Sequence, residues 1–258
     1  MSGTRSASTR APATDRRLAG AALVVCSYGS GGCAIAERLD ALGRDLGVAT
    51  TAAGTLFGTP RIETVAASLG DSPIVVVPLF MAQGVTYGAL EARLSNLRCR
   101  DRIVLCPELG GHPDLARRLA AHAGREAANL GWEPMETGLV LIGHGSRRNA
   151  ASRNAIERLA EEIRIRALFA DASVGFLEEA PRVAEAVRTS RARRVLAVGC
   201  FTESGRHATQ DVPASLRQSG RSVAYSGPLG AFDWIDSLVL DQARRGLRRF
   251  AALGARPA

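Results

Sequence analysis

Leu139-Val140-Leu141-Ile142-Gly143-His144-Gly145-Ser146 is an apolar run of strand length that stops at a glycine and is followed at once by a histidine and a second glycine. Such a run, closed by a turn signal, has the composition of a parallel strand buried on both faces, and it leaves the histidine at the strand's carboxyl end. An earlier stretch reads almost the same: Leu23-Val24-Val25-Cys26-Ser27-Tyr28-Gly29-Ser30. Outward from these two stretches the agreement continues. Val77-Pro78-Leu79-Phe80 with Gly84 answers Val198-Gly199-Cys200-Phe201 with Gly205, and Pro107-Glu108-Leu109-Gly110 answers Gly227-Pro228-Leu229-Gly230. Landmarks repeated in the same order mark an internal duplication with a period of about half the chain.

Within each copy, short β-rich runs alternate with longer amphipathic stretches, the pattern of βαβ units on a parallel sheet. Strands are predicted near 22–27, 48–56, 74–80 and 102–106, and again near 138–143, 172–176, 194–201 and 223–226. Helices are predicted near 33–46, 61–68, 87–97, 114–130, 151–169, 181–189, 209–218 and 233–253. The expected fold is α/β, with two similar lobes, each a four-stranded parallel sheet flanked by helices. The first lobe spans 20–131 and the second 138–258, divided by the Pro134 connector. Residues 1–19, rich in Ser, Thr, Ala and Arg without hydrophobic period, are expected to be a disordered tail.

Composition narrows the function classes. The chain has 258 residues, 46% hydrophobic and 22% charged, an ordinary globular balance that can build its own cores. The net charge is +8 and all 33 basic residues are arginine, spread along the chain with few aromatics, so nucleic acid is not an expected partner. A polyanionic small molecule suits the charge. The five cysteines form no C-x-x-C pair and three lie in apolar runs, which indicates reduced core residues and a cytoplasmic location. Arg16-Arg17 before Leu18 to Cys26 imitates an export signal, but the run lacks a small-residue cleavage site and leads straight into a glycine turn. No run approaches the ~20 apolar residues of a membrane span.

The mismatches between the copies carry the chemistry. His144, His207 and Glu178 of the second half stand where the first half has Tyr28, Thr86 and Phe57. All three second-half residues follow the carboxyl ends of predicted strands, where open α/β sheets place their ligands. Two neutral imidazoles and a carboxylate bind borderline divalent metals. Three ligands leave coordination positions open, as a metal that must be handed on requires, and the imidazoles can also accept protons. A permanent structural site would be closed by four ligands.

His144-Gly145-Ser146-Arg147, Phe176-Leu177-Glu178 and Gly205-Arg206-His207 resemble the motifs of the class II sirohydrochlorin chelatases of the CbiX and SirB type. That family includes the cobalt chelatases of the anaerobic cobalamin pathway and the iron chelatases of siroheme synthesis. The likeness extends over most of the second half, to Gln210-Asp211-Val212-Pro213 and Pro228-Leu229-Gly230, while the first half keeps the layout without the ligands. It implies a lyase that inserts a divalent metal into sirohydrochlorin or a close tetrapyrrole held between the lobes. His144 and His207 would bind the metal and take up macrocycle protons, assisted by Glu178. The metal is then a substrate, cobalt or iron with nickel possible as well, and no organic cofactor is expected. Ser146, Arg147 and Arg206 are candidate contacts to the substrate's carboxylates, with Arg148 and Arg153 as weaker ones. A duplicated chain holds both lobes that a single-lobe relative would obtain by dimerising, so monomer and homodimer both remain open.

Other features point elsewhere. Gly29-Ser30-Gly31-Gly32-Cys33-Ala34 fits the dinucleotide pattern G-x-G-x-x-A, but Ala52-Ala53-Gly54 stands where its acidic residue belongs. Ser146 lacks the second glycine of a nucleophile elbow. His112 is expected to be an exposed loop residue and His122 to have no function. Rival readings are a metal or tetrapyrrole carrier without turnover, and a dinucleotide-dependent reductase.

Overall fold

The computed structural model describes residues 20–147 and 149–253; the 1–19 segment and Arg148 lie outside them. Eight strands form two four-stranded parallel sheets. The first, in order β2-β1-β3-β4, comprises β1 (Ala22–Ser27), β2 (Thr50–Thr55), β3 (Ile74–Pro78) and β4 (Ile103–Leu105). The second, in order β6-β5-β7-β8, comprises β5 (Thr137–Gly143), β6 (Asp171–Phe176), β7 (Arg194–Gly199) and β8 (Val223–Pro228). All eight predicted strands are present, and the two-lobed α/β architecture is the one expected.

The central strands explain themselves by composition. Every residue of β1, β3 and β5 is buried, as continuous Val/Leu/Ile runs must be when helices cover both faces of a sheet. Strand order reverses between β1 and β3 in one lobe and between β5 and β7 in the other, which opens a crevice at the carboxyl ends of each central pair. His144 follows β5 and His207 follows β7, so the crevice of the second lobe lies between them.

The duplication extends to single hydrogen bonds. The Phe57 amide donates to the Tyr28 carbonyl at 3.0 Å, and the Glu178 amide donates to the His144 carbonyl at 2.9 Å. The Leu79 amide bonds the Cys26 carbonyl at 2.8 Å, and the Cys200 amide the Ile142 carbonyl at 2.7 Å. Both lobes turn through a cis proline, at Thr59-Pro60 and Ala180-Pro181. The sequence alignment of the two copies is therefore also a structural one.

Two departures matter. The helix predicted over 33–46 breaks at Arg38 into Ala34–Glu37 and Leu39–Leu46, and Arg38 turns a bidentate pair of bonds onto Asp236 at 2.6 and 2.7 Å. The final helices of the copies are also exchanged. Leu115–Asn129 packs on helix Ala151–Ile165 and against β7, whereas Ile235–Leu253 packs against β3 and β4. Where the latter helix crosses the first sheet it presents Gly246, whose missing Cβ would lie 2.6 Å from a Val75 methyl and 2.8 Å from Cys106 Sγ. One buried cluster consequently joins both lobes, running from Leu23 and Val75 through Leu119 and Val239 to Leu141 and Val198. The connector divides the sequence; the core is shared.

Candidate active site

His144 and His207 meet. Their ring centroids are 4.7 Å apart with planes at 78°. His144 Nδ1 lies 2.7 Å from the Gly145 carbonyl oxygen, and His207 Nδ1 lies 2.8 Å from Asp211 Oδ2. Both partners only accept, so each Nδ1 carries the proton and each Nε2 offers its lone pair. Centroids 4.7 Å apart bring the two rings near enough for one ion, bound at about 2.0–2.1 Å from a ring nitrogen, to be within reach of both.

The rings reach this position from different local structures. His144 is carried by the turn after β5, and Gly145 in that turn has φ +73°. His207 opens a π-helical turn, His207–Asp211, that continues into helix Val212–Arg217. The i,i+4 spacing places Asp211 behind the imidazole, the outer-shell carboxylate that metal-binding histidines commonly use to fix their orientation. Asp211 was missed as a functional residue, although the H-x-x-x-D spacing ahead of a helix was there to be read.

The other candidates divide. Glu178 is adjacent to His144 through its backbone, but its residue is exposed and does not line the cavity beside the histidines. Among the described residues no group of three His, Cys, Asp or Glu is close enough to hold a metal ion. Ser146 lines the cavity, and its amide donates to Glu179 Oε1 at 2.9 Å. Arg147 and Arg206 are exposed outside the lining, with Arg206 Nε 3.4 Å from Asp211 Oδ1. Arg153 departs from expectation. It is committed to Glu179 at 2.6 Å and to Glu157 at 3.1 Å, and its guanidinium lies 4.9 Å over the Phe176 ring. Burial alone would raise the Glu179 pKa, but the bonds from Arg153 and the Ser146 amide outweigh it and hold the carboxyl below its usual range. Arg148 lies outside the described residues.

The cavity has a volume of about 440 Å³ and belongs to both lobes. His144, Ser146 and His207 line it from the second lobe, facing Tyr28, Val85 and Thr86 from the first. The first-lobe counterparts of the two histidines thus remain wall residues. Phe57, the counterpart of Glu178, packs against Tyr28 with ring centroids 4.9 Å apart and planes tilted by 53°.

Both remaining histidines are structural. His112, expected in an exposed loop, is 4% exposed, because helix Ile235–Leu253 arrives from the second lobe and sets Asp241 3.0 Å from its Nε2. His122 packs on Phe232 with centroids 3.8 Å apart. In the glycine loop after β1, the Gly29 and Ser30 amides bond Glu203, a buried carboxylate that sequence reading passed over.

A family model described as CbiX matches residues 28–125 and 138–246, which is most of both lobes. The chain belongs to the CbiX family. It is 24% identical over 225 residues to a probable sirohydrochlorin cobaltochelatase of Halobacterium salinarum, covering 71% of this chain and 75% of that one. It is 27% identical over 139 residues to the sirohydrochlorin cobaltochelatase of Methanococcus maripaludis, covering 41% of this chain and 96% of that one. Nearly the whole of that relative therefore matches less than half of this CbiX-family chain, as a duplicated architecture requires. Among solved structures, a CbiX described as the terminal enzyme for biosynthesis of siroheme in denitrifying bacteria superimposes with a TM-score of 0.70 at 25% identity. That superposition covers 92% of this chain and 100% of that one. SirB from Bacillus subtilis with Fe3+ shares the fold, with a TM-score of 0.69 over 91% of this chain and 97% of that one, at 16% identity.

Proposed function

We propose that this CbiX-family chain is a metal chelatase that inserts a divalent metal, cobalt or iron, into sirohydrochlorin or a close tetrapyrrole. The observation that supports this reading is the pair of imidazoles with centroids 4.7 Å apart, each engaged through Nδ1 and both lining a cavity shared by the two lobes. Two protein ligands hold a metal loosely enough to surrender it to four pyrrole nitrogens, and a histidine released from the metal can take up a proton the macrocycle loses. His144 and His207 are the metal-binding and proton-accepting residues in this reading. Glu178, exposed beside His144, is suited to accept protons at the rim rather than to complete the coordination sphere. Ser146 contacts the macrocycle, and Arg147 and Arg206 meet its peripheral carboxylates from outside the cavity. Imidazole donors accept cobalt, iron and nickel alike, and cobalt is favoured by the named activity of the curated relatives.

The cavity is completed within one chain, which supports a monomer as the working unit. All five cysteines are free, which supports a reducing, cytoplasmic compartment. No described helix is long and apolar enough to cross a membrane. The decisive experiment follows the absorbance of sirohydrochlorin with cobalt and substoichiometric protein. Acceleration over the spontaneous reaction, lost in His144→Ala and His207→Ala, is expected. Binding of pigment or metal in proportion to protein, without acceleration, would make the chain a carrier instead.

A further inference from the structure

The glycine loop after β1 fits a phosphate-binding pattern, yet a protein side chain sits in it. Glu203 lies on the segment that connects β7 to the turn carrying His207, and it is 7% exposed. Its Oε1 accepts from the Gly29 amide at 2.7 Å, and its Oε2 accepts from the Ser30 amide at 2.8 Å and the Ser30 hydroxyl at 2.5 Å. Converging backbone N–H groups can compensate a buried negative charge without a cation. Burial pushes this carboxyl up, and the donors from the Gly29–Ser30 turn and Ser27 more than offset the push, leaving it below the ordinary range.

Neighbours of Glu203 touch the same lobe. The Thr202 hydroxyl donates to the Leu79 carbonyl at 2.5 Å, and the Ser204 amide donates to the Gly32 carbonyl at 2.9 Å. A Cβ on Gly31 would stand 2.5 Å from Gly205 Cα, so only glycine lets the two backbones approach this closely. Thr202, Glu203, Ser204 and Gly205 are therefore all held by the first lobe, immediately before Arg206 and His207. In the first lobe the matching position of Glu203 is Ala82, so the arrangement runs in one direction only.

We propose that Glu203 is a positioning residue that clasps the His207-bearing segment onto the glycine loop of the first lobe, so that the lobe without ligands sets the distance between the two histidines. The proposal rests on the reading of His144 and His207 as the metal-binding pair. It gives the glycine loop a use as the receptor for an internal carboxylate.

The test is titration of the full-length protein with cobalt(II) alone, read by calorimetry and by the visible absorption of the bound ion. Circular dichroism confirms folding of each variant. Glu203→Gln offers one acceptor oxygen to a turn that presents only donors, and sets its amide against one of them. It should weaken cobalt binding by about tenfold, at the lower end of what loss of a ligand-supporting contact causes, and change the ligand-field spectrum. Ser30→Ala, in the opposite lobe, should weaken binding less and be non-additive with Glu203→Gln. If Glu203→Gln does not fold, Ser30→Ala carries the same test. Wild-type cobalt affinity and spectrum in the folded variant, with binding lost in His207→Ala, overturns the clasp alone. Unchanged binding in both His144→Ala and His207→Ala overturns the metal-site reading instead.

Discussion

Asp211 is the most economical place to perturb the proposed metal site without touching either histidine. Its Oδ2 accepts the His207 Nδ1 proton at 2.8 Å, which fixes both the tautomer and the ring's direction. Asp211→Ala frees the ring to rotate and lets the proton move to Nε2, the atom needed for the metal. Loss of such an outer-shell partner typically lowers metal affinity about 10–100-fold. The His207 and Asp211 side chains are 41% and 32% exposed, so water replaces part of what the carboxylate gives and the lower end applies. The expected loss is about tenfold in the cobalt dissociation constant, or about 1.4 kcal/mol. Asp211→Asn can still accept through its amide oxygen and should lose less. Calorimetric titration with cobalt and initial rates of cobalt insertion both read the effect. Cobalt affinity within twofold of wild type in Asp211→Ala would show that the carboxylate does not orient His207, and would remove the main reason for assigning Nε2 as its metal-binding atom.

Three further expectations follow from groups elsewhere in the molecule. Tyr28→His with Thr86→His restores two imidazoles to the first lobe, but Leu90 occupies the place of Asp211 and is fully buried, so nothing orients the second ring. Metal titration should find one bound cobalt per chain, and two would refute the argument. Burial pushes the thiols of Cys26, Cys106 and Cys200 up to about 12, so a thiol reagent at pH 8 should leave these three unmodified until the protein is denatured; rapid reaction of all five in the native state would contradict this. The imidazoles of His112 and His122 are held below the ordinary value near 6.5, by burial in the first instance. As pH falls through that value the unfolded chain takes up protons the folded chain resists, so urea midpoints should fall between pH 7 and 5, and His112→Gln should flatten the slope. Midpoints that rise over that interval would reverse the sign and exclude this origin.

What could be read from sequence was what repeats or has a period. Both sheets followed from apolar runs such as Leu139–Gly143, and the histidine pair followed from differences between two otherwise matching copies. Contacts between copies left no such trace. Glu203 resembles any solvated glutamate in a loop, because the amides that hold it lie 174 and 173 residues away. Exposure of His112 was misjudged for the same reason, since the helix that buries it belongs to the other half. Arg153 is a weaker substrate candidate from sequence, only because it stands near the histidines there, whereas the turn after β6 brings Glu179 to it first. The exchange of final helices was equally silent, because each has an apolar face that would serve either sheet.

That exchange gives the lobe without the two histidines a structural role. Helix Leu115–Asn129 belongs to the first half and packs on the second, so removing the first half would expose the second sheet's own core around Leu141 and Val198. The residues of the first lobe that pack against the second are therefore not the ones that match the two histidines. Tyr28 and Thr86 fill the cavity wall, and Tyr28 does so while packed against Phe57. Leu90 shows how far the separation has gone, because a carboxylate at that position would now stand in the hydrophobic cluster with Val24, Ile62 and Val76. With Leu90 in that core, a histidine placed at 86 would have no carboxylate one helical turn on to orient it.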